Sequence, residues 1–407
     1  MPSLLEPVTV GGKLPLRNRV VMGSMTRNRC LDRMPGPAQI KHYVDRARDG
    51  VGLIVSEGTF VDWTGCDWQW TPVMIEMEHA EAWRKVTDAV HEAGGKIFFQ
   101  AWHADLKGRI QHDQMPIMKE KSGRVLAPSS IKAEGGKYRD LPGEPGHTEN
   151  VEEIENPRDV IDTYRNAVLL ARHAGFDGVE LLAQGGYLTH QFLNTNQVDQ
   201  GGSTHSRSNK RTDDYGGSVE NRCRFILELV DTISEVFGGP ELLCVKINPT
   251  DTYNDSATTF EEMKETYTFL IKELVARRVG IINIGRRGAD PNAGTGDFFG
   301  RDGRPEEFPL PIGYDPVLDF GPLVKYPGSP SLLMANHDYT PEEADRLVKE
   351  RKLDLITFAR PFIYNPDVIS RIKNGIPFAH NDRGKTVHYG PYRTPDENYN
   401  DWPAASL

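Results

Sequence analysis

The sequence has few cysteines, no long apolar run and no excess of positive charge. Its thiols show neither C-x-x-C nor Cys/His ligand spacing, so we expect buried or incidental cysteines and predict no metal site. They are Cys30, Cys66, Cys223 and Cys244. The apolar runs are far shorter than the roughly 20 residues that span a bilayer. The first residues show no basic stretch followed by an apolar core, so we predict no secretory signal and a cytoplasmic location.

The charge balance excludes one class of partner. The formal net charge is −10, and no cluster of Lys and Arg is present to neutralise a phosphate backbone, so a nucleic-acid partner is not expected. Hydrophobic residues make up 38% of the chain and charged residues 26%, which is typical of a soluble globule with a large core. A length of 407 residues fits either two average domains or one barrel with insertions.

Short apolar segments alternate with longer segments of helical period along the whole chain. The apolar segments are nearly continuous, as expected for parallel strands that are covered on both faces. Eight strands are predicted: Arg19–Met25, Gly52–Phe60, Lys96–His103, Gly178–Leu182, Leu242–Asn248, Gly280–Gly285, Ser331–Asn336 and Asp354–Arg360. Helices are predicted at Pro37–Asp49, Ala80–Ala93, Pro157–Ala174, Val219–Phe237, Phe260–Arg278, Pro341–Arg351 and Pro366–Asn374. Capping boxes begin two of them, at Thr259 and Thr340.

Eight such units favour a closed (βα)8 TIM barrel over a doubly wound open sheet. The segment after Val21 also lacks G-x-G-x-x-G, which removes the simplest dinucleotide-binding alternative. Three insertions, 107–150, 194–217 and 286–327, follow predicted strands and are expected as long loops on the carboxyl-terminal face, where barrel active sites form. We therefore predict a single barrel domain over residues 1–407, with a polar C-terminal tail over 378–407 that wraps it.

Several segments together resemble the old yellow enzyme family of FMN-dependent ene-reductases over nearly the whole chain. They are LLEPVTVGGKLPLRNRVVMGSMTRNRC (4–30), GLIVSEGTFV (52–61), VTDAVHEAGGKIFFQAWH (86–103) and RTDDYGGSVENRCRF (211–225). The last is the most specific, and its charged residues are expected to hold a loop in place through hydrogen bonds. The resemblance implies FMN at the carboxyl ends of the strands, with NADPH or NADH as the reductant.

The resemblance also implies the cofactor site. Thr26 lies where the family has a Thr against the flavin. Lys246 occupies the position of the family's cation near the flavin N1 and O2 atoms. The phosphate is expected after strands seven and eight, where a family Gly-Gly or Gly-Asn pair is here His337-Asp338. The full set of cofactor residues implied is Met25, Thr26, Gly58, Gln100, Lys246, His337, Asp338, Ala359 and Arg360. Asp338 would repel a phosphate unless its side chain turns outward, and a protonated His337 would offset that repulsion.

The substrate site departs from the family in GVELLAQGGYLTHQFL (178–193). The family places a His/Asn or His/His pair there to hold the substrate's carbonyl oxygen, but the matching positions are Leu182 and Gly185. Tyr187 matches the family's proton donor. The predicted pocket contains Trp102, His103, Leu182, Gln184 and Gly185, with Trp102 as a wall and with His103 or Gln184 as a candidate substitute donor. Strand alternation indicates that Gln184 points away from the site. His190 is interpreted as a structural residue.

These observations predict an FMN-dependent oxidoreductase acting on an alkene or related bond of a hydrophobic small molecule in specialised metabolism. Its partner would be that substrate, with no membrane or nucleic acid, and the protein would be a monomer or homodimer. Losing one oxyanion donor typically costs about 2.7–4 kcal/mol of barrier. Either another donor replaces the pair, or the substrate needs none, as with an iminium-like alkene. The alternative is a redox-neutral isomerase or cyclase in a barrel with reduced or lost flavin dependence.

Overall fold

Eight parallel strands form a closed barrel in the computed structural model, which describes residues 2–104, 116–131, 148, 150–194, 208–287, 304–306, 308–384, 386–390 and 392–405. Each barrel strand pairs with the next along the chain, and the last pairs with the first through Thr357 opposite Val21. The barrel strands are β1 (Val20–Met22), β2 (Leu53–Val55), β3 (Ile97–Trp102), β4 (Gly178–Ala183), β5 (Leu243–Ile247), β6 (Ile281–Gly285), β7 (Leu332–Asn336) and β8 (Leu355–Phe358). The predicted TIM barrel is confirmed.

Helices cover the outside of the barrel. The longer ones are Pro37–Asp49, Met77–Glu92, Pro157–His173, Val219–Phe237, Phe260–Ala276, Pro316–Val324, Pro341–Lys349 and Val368–Asn374, and the shorter ones are Pro116–Lys121, Leu188–Leu193, Pro361–Tyr364 and Thr386–Tyr389. Thr259 and Thr340 are N-caps, because their side chains accept hydrogen bonds from the main-chain N–H groups of Glu262 and Glu343. The Glu343 carboxylate pairs with Arg286, so the predicted capping box at Thr340 is only half formed. None of the described helices combines the length and apolar character needed to cross a lipid bilayer.

Two predicted segments differ in the structure. The predicted strand Gly52–Phe60 is β2 followed by a separate two-residue strand, Thr59–Phe60, which pairs with the end of β3. The stretch 286–327, taken as an insertion, contains the helix Pro316–Val324. Gly321 and Pro322 lie inside this helix and disguise its periodicity. Much of all three expected insertions falls outside the described residues. The strand Val125–Ala127 lies in the first of them and pairs with Val151–Glu153, which directly follows it.

An N-terminal hairpin closes the amino-terminal end of the barrel. It pairs Val8–Val10 with Leu14–Leu16 and buries Val10, Leu14 and Leu16 against the barrel interior. The interior side chains that meet it come from most of the strands, and they are Val21, Leu53, Val55, Phe98, Cys244, Ile281, Met334 and Leu355. Because apolar side chains fill this end, the carboxyl-terminal end is the part of the barrel interior left for a ligand among the described residues.

A chain of hydrogen bonds crosses the middle of the barrel above this apolar plug. Ser24 donates to Gln100 over 2.6 Å, Gln100 donates to Glu180 over 2.7 Å, and Asn283 donates to the other Glu180 oxygen over 3.1 Å. Asn336 in turn donates to Asn283 over 2.7 Å. Because each buried polar group is satisfied by the next, the layer fixes the side chains on which the upper site rests.

The C-terminal tail contacts the loop that follows β1. Arg27 donates to the carbonyls of Val387 and Asn398, both over 2.9 Å, and Arg29 donates to that of Glu397 over 2.8 Å. Tyr399 is fully buried and stacks on His42 at 3.9 Å between ring centroids. Because residues 27 and 29 follow Thr26 directly, the tail is tied to the edge of the predicted cofactor site.

The Tyr399 contact predicts a large difference between two substitutions. Tyr399→Ala should lower the free energy of unfolding by about 3 kcal/mol, since it removes a buried ring and leaves a cavity. Tyr399→Phe should change it by less than about 1 kcal/mol, because the hydroxyl has no hydrogen-bond partner among the described residues. Urea unfolding of both variants measures this. Equal effects of the two would mean that the ring does not hold the tail.

Candidate active site

The interior layer at the carboxyl-terminal end is built by β3, β4 and β5. Lys246 lies directly beside Leu182 on one neighbouring strand and Asn283 on the other. Only 8% of Lys246 is exposed, and its ammonium group has no hydrogen-bond or ion-pair partner among the described residues. An unpaired cation at the end of a mostly buried side chain is well placed to pair with an anionic ligand.

Gly58 permits close packing beneath this layer. A Cβ atom at position 58 would lie 2.6 Å from a ring carbon of Trp102 and 3.1 Å from the amide oxygen of Gln100. Any side chain here would therefore displace the indole or the buried amide. Met25 and Thr26, which follow β1, lie half-buried at the same end of the barrel.

The loop after β7 has a conformation that normally requires glycine. His337 and Asp338 have φ angles of 87° and 62°, in the left-handed region that costs a residue with a side chain about 1–2 kcal/mol. Contacts from the end of β6 hold this loop: the Asp338 carboxylate pairs with Arg287 at 3.1 Å, and Arg286 donates to the Asp338 carbonyl. The Asp338 side chain is thus turned toward Arg287 and is largely exposed.

His337 is neutral at pH 7. Burial lowers the pKa of its imidazole to about 4, and the charges of Arg360 and Lys246 lower it further. In the ligand-free protein a neutral His337 therefore does not offset the charge of Asp338. Its Nδ1–H donates to the Arg287 carbonyl over 2.7 Å. Arg360 stands just before the short helix Pro361–Tyr364, after Ala359.

Aromatic side chains enclose Tyr187. Its ring meets Trp102 edge-on at 5.1 Å and Tyr253 at 6.4 Å between centroids. Trp102 also stacks on Phe60, and Leu182 belongs to the same apolar cluster. Burial raises the pKa of the Tyr187 phenol well above its usual value, so the hydroxyl keeps its proton at neutral pH. Tyr389 of the C-terminal tail also packs against this cluster, where it stacks on Trp68 at 4.7 Å between ring centroids.

The turn at Gly185 is held by residues that follow β5. The Gly185 N–H donates to Asp251 over 2.7 Å, and Asn254 donates to the Gly185 carbonyl over 2.6 Å. Its φ is 77°, and an added Cβ would lie 2.7 Å from the Tyr187 ring. Sequence reasoning missed Asp251 and Asn254. The polar stretch NPTDTYND directly after a predicted strand was the signal that pointed to them.

Three other residues singled out in the sequence make the following contacts. The His103 Nε2 contacts the Thr64 hydroxyl at 3.0 Å, and its ring covers Gly65, so its role as a substitute donor stays a prediction. Gln184 follows the last residue of β4, Ala183, and its amide oxygen is buried, so its place in the pocket also stays a prediction. His190 contacts Gly186 and Tyr267, consistent with a structural residue.

The 211–225 signature makes structural contacts. Arg211 forms hydrogen bonds with Asp213 at 3.1 Å and with the carbonyl of Ile154 at 2.6 Å, and Arg222 donates to Leu193 and Thr266. These bonds join the loop to the strand pair before the helix Pro157–His173 and to the short helix after Tyr187.

A family model described as the NADH:flavin oxidoreductase / NADH oxidase family matches residues 3–293. The chain belongs to this family. A Leishmania infantum relative named probable flavin mononucleotide-dependent alkene reductase is 31% identical, with 98% of this chain and 97% of that one covered. A flavin oxidoreductase of Emericella nidulans is 30% identical, with 100% and 98% covered.

Solved structures of old yellow enzyme type have the same fold. Morphinone reductase is similar with a TM-score of 0.79 and 30% identity, covering 99% of this chain and 96% of that one. The old yellow enzyme homologue of Zymomonas mobilis has a TM-score of 0.80 at 27% identity, covering 99% and 100%. Morphinone reductase has also been solved with tetrahydroNAD. As a member of the NADH:flavin oxidoreductase family, this protein is an FMN-dependent, NAD(P)H-linked oxidoreductase.

The left-handed conformation of the loop after β7 predicts that glycine stabilises the protein more than alanine does at position 338, the reverse of their order in a helix. Asp338→Gly should be more stable than Asp338→Ala by about 1 kcal/mol, because both remove the carboxylate but only glycine relaxes at positive φ. Lys272, exposed on the helix Phe260–Ala276, is the control, since there alanine should be the more stable by about 1 kcal/mol. Thermal and urea unfolding measure the stability of both pairs of variants. If the alanine variant were the more stable at both sites, the left-handed geometry would be contradicted.

Proposed function

We propose that this protein reduces an alkene or related bond of a hydrophobic small molecule in specialised metabolism, with Tyr187 as the proton donor. The observation that carries the proposal is the buried, unpaired Lys246 beside Leu182 and the aromatic cluster. A reduced flavin carries negative charge on the side of its ring that this cation would face. We further propose that the protein acts as a monomer or homodimer in the cytoplasm, without a membrane or nucleic-acid partner.

The residues present fit FMN. Thr26, Gln100 and Lys246 would hold the ring above Gly58, where a Cβ atom would disturb Trp102 and Gln100. The main chain at His337-Asp338 and at Ala359-Arg360 would receive the phosphate, since main-chain N–H donors do not depend on the side chain. Asp338 is held by Arg287, so it need not oppose the phosphate. When bound, FMN supplies a hydride from N5 to the substrate.

Tyr187 is suited to deliver the matching proton. Its phenol keeps the proton because burial raises its pKa, and it stands between Trp102 and Tyr253 in the enclosed cluster. Proton transfer from a positioned acid contributes about 10²- to 10⁴-fold to a rate. A redox-neutral isomerase has less support, because such a reaction would give Lys246 no anion to pair with.

Tyr187→Phe should separate the two halves of the reaction. The purified protein should be yellow, with an oxidised-flavin spectrum, and NAD(P)H should bleach it equally fast in wild type and variant. Reoxidation by an alkene should slow about a hundredfold or more in the variant, because the acid is lost while the ring remains. Anaerobic stopped-flow absorbance measures both steps. A colourless protein that takes up no FMN, or an unchanged reoxidation rate, would refute the proposal.

Restoring the family's donor pair at positions 182 and 185 should increase the reductase activity. Leu182→His should raise reduction of cyclohexenone, because it returns an oxyanion donor beside Lys246 and Trp102. Gly185→Asn alone should gain less, since its Cβ would meet the Tyr187 ring at 2.7 Å and its φ of 77° disfavours a side chain. Steady-state kinetics of both single variants and the double variant test this. No gain in any variant would mean that the pocket differs by more than the pair.

A further inference from the structure

Two buried arginines attach the C-terminal tail to the segment that carries Thr26. Arg27 and Arg29 are only 2% and 7% exposed, and both guanidinium groups donate to main-chain carbonyls of the tail. The guanidinium of Arg29 also lies 3.5 Å from the ring centroid of Tyr392. Burying a charged group is costly unless its N–H groups have acceptors. Release of the tail would therefore disturb both arginines and the chain that directly follows Thr26.

The tail is also attached beside the proposed phosphate site. Tyr364, in the short helix that follows Arg360, shares a hydrogen bond of 2.8 Å with His388 of the tail. Its ring meets that of Trp402 edge-on at 5.1 Å between centroids. Met25, a predicted cofactor residue, packs against the cluster that contains both of these rings. The tail thus joins the loops after β1 and β8, where the proposed site holds the flavin ring and the phosphate.

One helix connects these two attachments. Helix Pro37–Asp49 carries His42, whose ring stacks on Tyr399 of the tail. Burial lowers the pKa of His42 well below its usual value, so its ring is neutral and donates to the Tyr399 carbonyl over 3.2 Å. One turn later Arg46 donates to the Phe362 carbonyl over 2.8 Å. The tail and the helix beside the phosphate site are therefore held by the same turn.

The docked tail also reaches the aromatic cluster around Tyr187. Tyr389 directly follows His388, and it packs against this cluster through its stacking on Trp68. A tail that left its site would withdraw this ring from the cluster. Docking of the tail thus affects the substrate pocket as well as the two cofactor loops.

We propose that the C-terminal tail is a latch on the FMN site, such that docking of the tail and binding of FMN strengthen each other. The proposal rests on the proposed FMN site, because it takes Thr26 and Arg360 as cofactor contacts. Two events that order the same segments are coupled, since the first has already restricted those segments for the second. The coupling is reciprocal: docking tightens FMN binding by the same factor by which FMN favours docking.

Limited proteolysis tests one direction of this coupling. The side chain of Arg393 is 89% exposed, but the chain after it contains the carbonyls of Pro395 and Glu397 that Arg29 binds. Trypsin should therefore cut after Arg393 only when the tail has undocked. Saturating FMN should slow this cut about tenfold relative to the FMN-stripped protein. Mass spectrometry measures the released fragment 394–407, which contains no Lys or Arg and stays whole.

A second cleavage site separates undocking of the tail from unfolding of the barrel. Arg165 lies within the helix Pro157–His173, where a cut requires that the barrel unfold. Cleavage after Arg393 should be faster than cleavage after Arg165, with and without FMN. An FMN-independent rate after Arg393 would overturn the proposal, because the tail would then open independently of the cofactor. Equal rates at both sites would overturn it too, because the tail would open only with the whole barrel.

FMN affinity tests the opposite direction. Tyr399→Ala removes the ring that stacks on His42 and touches no predicted cofactor residue, and it should raise the FMN dissociation constant about tenfold. Tyr399→Phe keeps the ring and should leave the constant unchanged. Phe176→Ala is the matched control, because it removes a buried ring that packs on Trp83 and Phe99 at the amino-terminal end of β4. It should lower stability without changing FMN affinity, which quenching of flavin fluorescence measures.

The outcomes separate the latch from the cofactor site itself. An unchanged FMN affinity in Tyr399→Ala, or an equal loss in Phe176→Ala, would overturn the latch while leaving the flavin in place. A wild-type protein that takes up no FMN would refute the proposed function together with the latch. If Tyr399→Ala does not fold, the cleavage rates of the wild-type protein with and without FMN decide.

Discussion

The charge of Lys246 is the constraint on which the site depends. Its side chain is mostly buried at the carboxyl ends of the strands, and no described carboxylate pairs with its ammonium group. Glu180, the nearest buried acid on β4, is already engaged by Gln100 and Asn283 in the layer below. The barrel therefore keeps its internal anion for its own hydrogen bonds and leaves the upper cation for a ligand. An anionic ring system meets this requirement better than any neutral molecule.

The phosphate end depends on backbone geometry more than on side-chain identity. His337 and Asp338 adopt left-handed φ angles even though neither is glycine, and Arg286 and Arg287 hold the turn from β6. The family pair is Gly-Gly or Gly-Asn, and the φ angles of His337 and Asp338 are ones that glycine adopts without strain. Strained backbone of this kind often occurs at ligand sites.

The sequence predicted the fold because each signal was local. Continuous apolar runs predicted the strands, and side-chain caps at Thr259 and Thr340 predicted where two helices begin. The helix Pro316–Val324 escaped because Gly321 and Pro322 interrupt its pattern. The site was harder to predict from the sequence. His103 and Gln184 directly follow the last residues of β3 and β4, where strand alternation no longer fixes the direction of a side chain. Asp251 and Asn254 act on Gly185 from another strand, and no linear motif records such a contact.

The departure from the family is thus wider than two residues. Leu182 alone could be an isolated exchange, but Gly185 is held through both its N–H and its carbonyl by Asp251 and Asn254, and its backbone has no room for a side chain. Tyr187 follows this turn by two residues, and its ring meets Trp102 edge-on. The segment after β5 therefore helps to fix the direction in which the chain leaves β4, and with it the place of the Tyr187 ring.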